Sequence, residues 1–408
     1  MDSLSDNDRD RELYMANIKC ILMNKNTPVL QLEGELITVG NTCFPFFKAE
    51  QCEIINKVLS PPAVFSGIVS KRLEQFNMWF QKRCISANRV IPIDPKRVET
   101  DTKKPMFFSM TDQYWLQYDK HDKWEDYNYF TNPFSYVTGD ALFSKSLDWV
   151  KTIPFDANSP DVTTNGVMNK RWIKDNNNKN ILLKTNSSNL FQESKSEILA
   201  SAFLKDFARI PYVTYYPYIY NYSLCCACRN FITEDTEFVT AGNLFHTVKM
   251  PDAIRKSEDK IYQHLLTVIA YYKIPDAIKF IEEMTVIDRI MVNQDRHLGN
   301  FGFIRNVNTG AYIGPAPLFD FGNAYFPGTK VEKSKYFFSL EKDLALGQRI
   351  KPQNISQFVE MLNQAGIDDE KEKEGYIKIM EDNNKFILSI MNGEEIKKDS
   401  RQTPVINF

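Results

Sequence analysis

The chemically suggestive residues of this sequence are an aspartate, an asparagine five positions later and a second aspartate before Phe-Gly. They lie in Asn293-Gln294-Asp295-Arg296-His297-Leu298-Gly299-Asn300 and in Leu318-Phe319-Asp320-Phe321-Gly322. Moving a terminal phosphoryl group off a metal nucleotide needs such a set. A carboxylate must orient the attacking hydroxyl, and a magnesium ion prefers carboxylate and amide oxygens to nitrogen or sulfur. Asp295 suits the first role, and Asn300 with Asp320 suits the second. His297 stands between them. Each short motif alone is commonplace, because Asp, Asn and Gly populate turns for conformational reasons. Their order and their flanking elements carry the weight.

The flanks supply a geometry. Ala277, Ile281, Met284, Ile287 and Met291 recur at steps of three and four, so residues 276 to 292 are expected to form a helix with one face on a core, ending just before Asp295. Phe301 to Ile304 and Ala311 to Ile313, separated by Arg305-Asn306-Val307-Asn308-Thr309-Gly310, read as a hairpin. Such a hairpin would carry Asn300 and Asp320 back towards one another.

Helix, Asp-Arg-His-x-x-Asn, hairpin and Asp-Phe-Gly, in this order, resemble the catalytic segment of the HipA-like serine/threonine kinases, a bacterial branch of the kinase fold. Phosphatidylinositol kinases carry a similar pairing of Asp-Arg-His with Asp-Phe-Gly. Two departures separate the chain from ordinary protein kinases: Asn293-Gln294 replaces His-Arg, and no Ala-Pro-Glu follows Asp320. The resemblance implies an α+β, bilobal protein-kinase-like fold with a β-rich small lobe, an extra N-terminal subdomain and a helical large lobe. The expected division is 1–154, 155–233 and 234–408.

Further site residues follow from the same resemblance, which implies that His297 lies near the nucleotide, with a histidine packed to brace the loop as the alternative. Gly166 and Lys170 match a Gly-x-x-x-Lys pattern in the loop that covers the nucleotide phosphates, with Thr164 and Asn165 beside them. Glycine lets backbone amides approach phosphate oxygens, and a cation behind them complements the charge. Thr163 and Thr164 are candidate autophosphorylation sites by position. Lys184 ends the apolar strand Ile181-Leu182-Leu183-Lys184 and is the candidate lysine for the nucleotide phosphates; as a bare pattern it is equally an edge or snorkelling residue. Its partner should be an acid on the helix expected over 194 to 207. Glu197 matches the family position, although Ser194-Lys195-Ser196-Glu197 also spells a capping box, and Glu193 is the alternative. Arg229 and Phe231 match the hinge, where backbone groups would hold adenine.

Composition limits the alternatives. With 408 residues, 43% of them hydrophobic and 13% aromatic, the chain can build two or three cores and is not disordered. Fifty basic against 52 acidic side chains leave a net charge of -2, which provides no global field for nucleic acid or an anionic membrane. Met1 to Glu12 is polar and acidic, unlike a signal peptide, and no apolar run reaches the roughly 18 to 20 residues of a membrane span. A cytoplasmic protein is expected. Seven cysteines and four histidines offer no second ligand pair near Cys225-Cys226-Ala227-Cys228, so these read as buried strand thiols rather than a zinc site.

The N-terminal part should open with a hairpin, Tyr14 to Met23 and Val29 to Val39, and contain a helix over Leu73 to Arg83. Aromatic residues between Phe107 and Phe143 read as a compact core, with a ligand platform as the alternative. Helices are also expected over Lys260 to Tyr272, 354 to 364 and 371 to 392. The functional expectation is an ATP- and Mg2+-dependent kinase acting on a protein serine or threonine, with a small DNA-binding antitoxin as an implied partner. The alternatives are a nucleotide-sensing module without turnover and a lipid or small-molecule kinase.

Overall fold

The computed structural model describes residues 16–38, 45–62, 71–81, 83, 112–143, 159, 169–186, 193–220, 222–257, 259–325, 329–331 and 351–392. The chain is a mixed α+β protein that divides into two units. One contains Met1–Leu182, Ile232–Glu237 and Arg305–Ala311; the other contains Leu183–Phe231, Phe238–Ile304 and Tyr312–Phe408.

In the first unit, β1 (Ala16–Asn24) and β2 (Thr27–Thr38) form the expected antiparallel hairpin around Lys25 and Asn26. With β3 (Pro45–Ile54) and β4 (Tyr114–Gln117) they make a four-stranded sheet of order β3-β2-β1-β4. Helix α1 (Arg72–Gln81) packs on β3 and buries Phe76, Trp79 and Phe80. The Asn77 amide ties it there, bonding the N–H and the C=O of Ala49 at 2.8 Å each. The short helices α2 (Trp124–Tyr127) and α3 (Tyr136–Phe143) follow. Tyr114, Trp115, Trp124 and Tyr129 are buried in the core of this unit, so the aromatic segment packs as a core from residue 112 onward, and residues 107–111 lie outside the described residues. Trp115 satisfies its indole N–H on Lys25 O at 2.7 Å. Strand β5 (Lys170–Lys174) pairs with β6 (Asn180–Lys184) across the Asp175–Asn178 turn.

The division runs through β6, whose last residues, Leu183 and Lys184, belong to the second unit. There they lie beside β8 (Ser223–Arg229), which pairs antiparallel with β7 (Tyr216–Tyr220). Helix α4 (Glu193–Phe207) packs on β8. Cys225, Cys226 and Cys228 are buried on β8, and burial pushes the Cys225 thiol up to about 11. Next come β9 (Thr236–Thr240), α5 (Ala241–Phe245), α6 (Asp252–Arg255), α7 (Lys260–Tyr272) and α8 (Ala277–Ile290). Ala277, Ile281, Met284, Ile287 and Met291 are all buried, as their spacing predicts. β10 (Gly302–Asn306) and β11 (Tyr312–Pro315) form the hairpin, in a sheet of order β11-β10-β9. Gly302 lies so close to β9 that a Cβ would come within 2.2 Å of Val239 O, which no flexible neighbour could relieve. Helices α9 (Ile355–Gln364) and α10 (Glu370–Met391) complete the unit. Among the described residues, no helix is long and apolar enough to cross a membrane.

Candidate active site

Lys184 closes β6 with its side chain buried, and three groups of the second unit converge on it. Its Nζ lies 2.7 Å from Glu197 Oε1 and 3.4 Å from Asp320 Oδ1. It also stands 4.8 Å from the centre of the Tyr215 ring, a cation over an aromatic face. The second Glu197 oxygen accepts the Phe321 backbone N–H at 2.9 Å. One fully buried carboxylate therefore holds both the lysine and the Asp-Phe-Gly turn. Burial opposes the charge on Lys184, but Glu197, Tyr215 and Asp320 outweigh it and hold the ammonium well above the ordinary lysine range. Burial raises the Glu197 carboxyl, while the Lys184 charge and the hydrogen bonds from Lys184 and Phe321 pull it back.

The choice between Glu193 and Glu197 as the contact of Lys184 is resolved by geometry. Helix α4 begins at Glu193, one residue earlier than expected, so Glu197 lies beyond the first turn and does not cap it. The Asn186 side chain instead accepts the Ser194 N–H at 2.9 Å. Glu193 is also buried, with its Cβ 3.2 Å from where a side chain on Gly322 would begin.

The Asp295 loop is organised by Arg296, a buried residue to which the sequence reading assigned no role. Its Nε and Nη2 make a two-pronged pair with Asp288 of α8, at 2.9 and 3.0 Å. Its Nη1 donates to Asn300 O at 3.0 Å and to Phe319 O at 2.7 Å. Its guanidinium also lies 4.9 Å from the Phe321 ring centre. One planar cation thus joins the end of α8, the loop holding Asn300 and the residue before Asp320. The hairpin does return the two motifs to one another, and Arg296 is the tie. Asn293 adds a 2.8 Å bond to Asp288. The trace in the sequence was the pair Asp288-Arg289 within the mostly apolar stretch Met284 to Val292.

Within the loop, Asn300 donates to Asp295 O at 2.7 Å and accepts the His297 N–H at 2.9 Å. It is buried, and its amide oxygen keeps a second lone pair. The His297 ring is exposed rather than packed, and its Nδ1 accepts the Gly299 N–H at 3.0 Å within the loop. Asp295 is exposed, and Asn323 donates to its Oδ2 at 2.9 Å. Asp320 is one-third exposed, with a left-handed backbone, φ 68°. Val292 also has a positive φ, 54°, a conformation that is strained for a β-branched residue. The segment before Asp320 is pinned by Val213 N–H to Leu318 O and Leu318 N–H to Pro211 O, both 2.8 Å.

Asn300 and Asp320 carry oxygen donors of the type a hard divalent cation takes, in the small number that suits an ion shared with phosphates. Among the described residues, no group of three or more His, Cys, Asp and Glu could hold a metal by itself. Arg229 ends β8 and is exposed. The Phe231 ring lies 5.9 Å from Phe319 and 5.7 Å from Phe238. Lys170 opens β5 and belongs to the first unit, while Thr163, Thr164, Asn165 and Gly166 lie outside the described residues.

No family model matches the chain. Over 111 residues it is 32% identical to the serine/threonine-protein kinase CtkA of Helicobacter pylori, a match covering 26% of this chain and 33% of that protein. The chain thus spans about a third of the length of the curated relative it matches. Among solved structures, it is similar to a Helicobacter pylori proinflammatory kinase CtkA, with TM-score 0.42 and 20% identity over 55% of this chain and 95% of that one. It is also similar to the Shewanella oneidensis MR-1 toxin–antitoxin system of HipA, HipB and operator DNA, with TM-score 0.47 and 9% identity over 90% of this chain and 96% of that one.

Proposed function

We propose that the chain is an ATP- and magnesium-dependent phosphotransferase of the HipA-like serine/threonine kinase type, acting on a hydroxyl of a protein. The observation that carries this reading is the buried Lys184–Glu197 pair with Asp320 at its edge, joined through Arg296 to the loop of Asp295 and Asn300. Bound nucleotide and metal would supply the phosphoryl group and neutralise its charge.

The protein's own residues do the rest. Lys184, kept charged and oriented by Glu197, presents an ammonium to phosphate oxygens. Asp320 and Asn300 offer oxygens to the cation. Asp295, oriented by Asn323, accepts the hydroxyl proton as the oxygen–phosphorus bond forms and the bond to the nucleoside diphosphate breaks. Stabilisation of developing charge by groups already in place is the main contribution available to such a site.

The test is transfer from labelled ATP in a lysate of the host, comparing the native chain with Asp295→Asn and Asp320→Ala. Both substitutions are expected to lower transfer by about a hundredfold or more while leaving the melting transition in place, since both side chains reach solvent. Nucleotide binding by calorimetry without any transfer would instead favour a sensor of nucleotide. Phosphate on Thr163 or Thr164 after incubation with ATP and magnesium, read by mass spectrometry, is the expected sign of self-modification. A protein acceptor and a small DNA-binding partner rest on the sequence resemblance, and a cytoplasmic location rests on the polar start and the short apolar runs of the sequence.

A further inference from the structure

Helix α10 turns one face inward, burying Tyr376, Ile379, Met380, Asn383 and Ile387 at helical steps. Two stations along it meet the two motif-bearing elements of the site. Near its start, Glu372 takes Lys195 of α4 through both oxygens, at 2.8 and 2.6 Å. Lys195 and Ser196 immediately precede Glu197. Three turns along, the fully buried Asn383 donates to the carbonyls of Arg289 and Ile290, at 3.3 and 3.0 Å. These belong to the last turn of α8, where Arg289 O also accepts the Val292 N–H at 3.4 Å and Ile290 O accepts the Tyr325 hydroxyl and the Gln353 amide at 3.1 Å each. The chain leaves that turn for Val292 and the Asp295 loop.

Lys195 and Glu197 are two residues apart, roughly 200° around a helix of 3.6 residues per turn. Helix α4 is therefore gripped from opposite sides: by Lys184 and Phe321 through Glu197, and by Glu372 through Lys195. A rotation of α4 that withdraws Glu197 from Lys184 must also break the contact behind it. The Lys195–Glu372 pair is mostly buried, with side-chain exposures of 24% and 13%, so solvent screens it less than the surface pairs of α10.

We propose that Glu372 is a positioning residue of the phosphotransfer site: by holding Lys195 it fixes the rotation of α4 that keeps Glu197 on Lys184. Asn383, on the same helix, fixes the start of the Asp295 loop. The proposal rests on the phosphotransfer reading for its purpose but not for its geometry, and the experiment separates the two.

Purified full-length chain is pulsed with an amine-acylating reagent, and modification of Lys184 is quantified by mass spectrometry. The variants are Glu372→Gln, Lys195→Gln, the exchanged pair Lys195→Glu with Glu372→Lys, and Asp382→Asn in an exposed pair of α10 as the control. Each single change at the Lys195–Glu372 contact is expected to raise Lys184 labelling about fivefold or more through local opening. The exchanged pair is expected to return it towards the native level, and Asp382→Asn to leave it unchanged. In phosphotransfer assays, the KM for ATP should rise more than kcat falls.

Native-like labelling in Glu372→Gln, an exchanged pair as labile as the single variants, or equal loosening by Asp382→Asn would each overturn the proposal. A native chain that transfers no phosphate would overturn the phosphotransfer reading, while the labelling series still decides what Glu372 holds.

Discussion

Arg296 concentrates more of the candidate site than either aspartate it serves. It is buried, paired with Asp288, and donates to two backbone carbonyls in two different motifs. A lysine would keep the charge and lose the planar fork. Arg296→Lys is therefore expected to reduce phosphotransfer about a hundredfold with Asp295 and Asp320 both present, as measured by kcat/KM against the native chain. Asp288→Asn leaves the guanidinium short of its counter-charge in a buried place. A loss of about 3–5 kcal/mol in urea unfolding is expected, as for removal of one partner of a buried pair. Lys184→Met should lose calorimetric ATP binding, because a chain of similar length fills the space without the charge, and should also lower stability in urea unfolding, since Glu197 would stay buried without its counter-charge.

At the scale of elements, α7 illustrates how a helix fixed by packing responds to pH. Its His264 is buried, with Nε2 2.8 Å from Phe245 O and its ring edge-on to Phe245 at 4.6 Å. Burial holds the imidazole below its usual 6.5, only partly opposed by the hydrogen bond to the Phe245 carbonyl. The unfolded chain thus takes up the proton more readily than the folded one. The resulting stability is complete above about 6.5 and is lost as pH falls through that value towards the lowered folded pKa. The urea midpoint is expected to drop between pH 7 and pH 5, and to drop less in His264→Gln. An equal drop in both proteins would assign the effect to other groups.

The whole molecule is assembled from segments far apart in the chain. Arg305, in the first unit through the hairpin turn, pairs with Glu237 at 2.6 Å and also donates to the Tyr114 hydroxyl at 3.2 Å and to Ser60 O at 3.3 Å. It donates to Val58 O as well, beside Gly310, whose φ of +74° suits a glycine. Gln113 donates to the carbonyls of Thr233, Glu234 and Thr236 at 2.9, 3.2 and 3.0 Å. Asn24 reaches Leu59 O and Val307 O at 3.2 and 3.1 Å. Residues 1–182 expressed alone would lack Ile232–Glu237 and Arg305–Ala311 and leave these buried amides without partners. That fragment is expected to show no cooperative urea transition by circular dichroism. In the complete chain, Arg305→Met should lower stability by about 3–5 kcal/mol, since Glu237 would remain buried with its charge uncompensated.

Local periodicity was enough to place α7 over Lys260–Tyr272 and the apolar face of α8, because such helices bury a stripe that their own spacing defines. The hairpin after Asn300 was equally legible: Asn306 Oδ1 accepts the N–H groups of Asn308 and Thr309 at 3.0 and 2.9 Å, a turn written in neighbouring residues. The motifs at Asp295 and Asp320 could be recognised from residue type and order. What they touch could not. That Lys184 meets Glu197 depends on the rotation of α4, which contacts from outside the helix set. Arg296 had no readable role because its partners, Asp288, Asn300 and Phe319, come from three separate stretches, two of them reached only through backbone carbonyls that every residue possesses. Sequence determines what interacts within a turn or two; which distant groups share a buried charge is decided only when folding excludes water around them and makes each unpaired alternative costly.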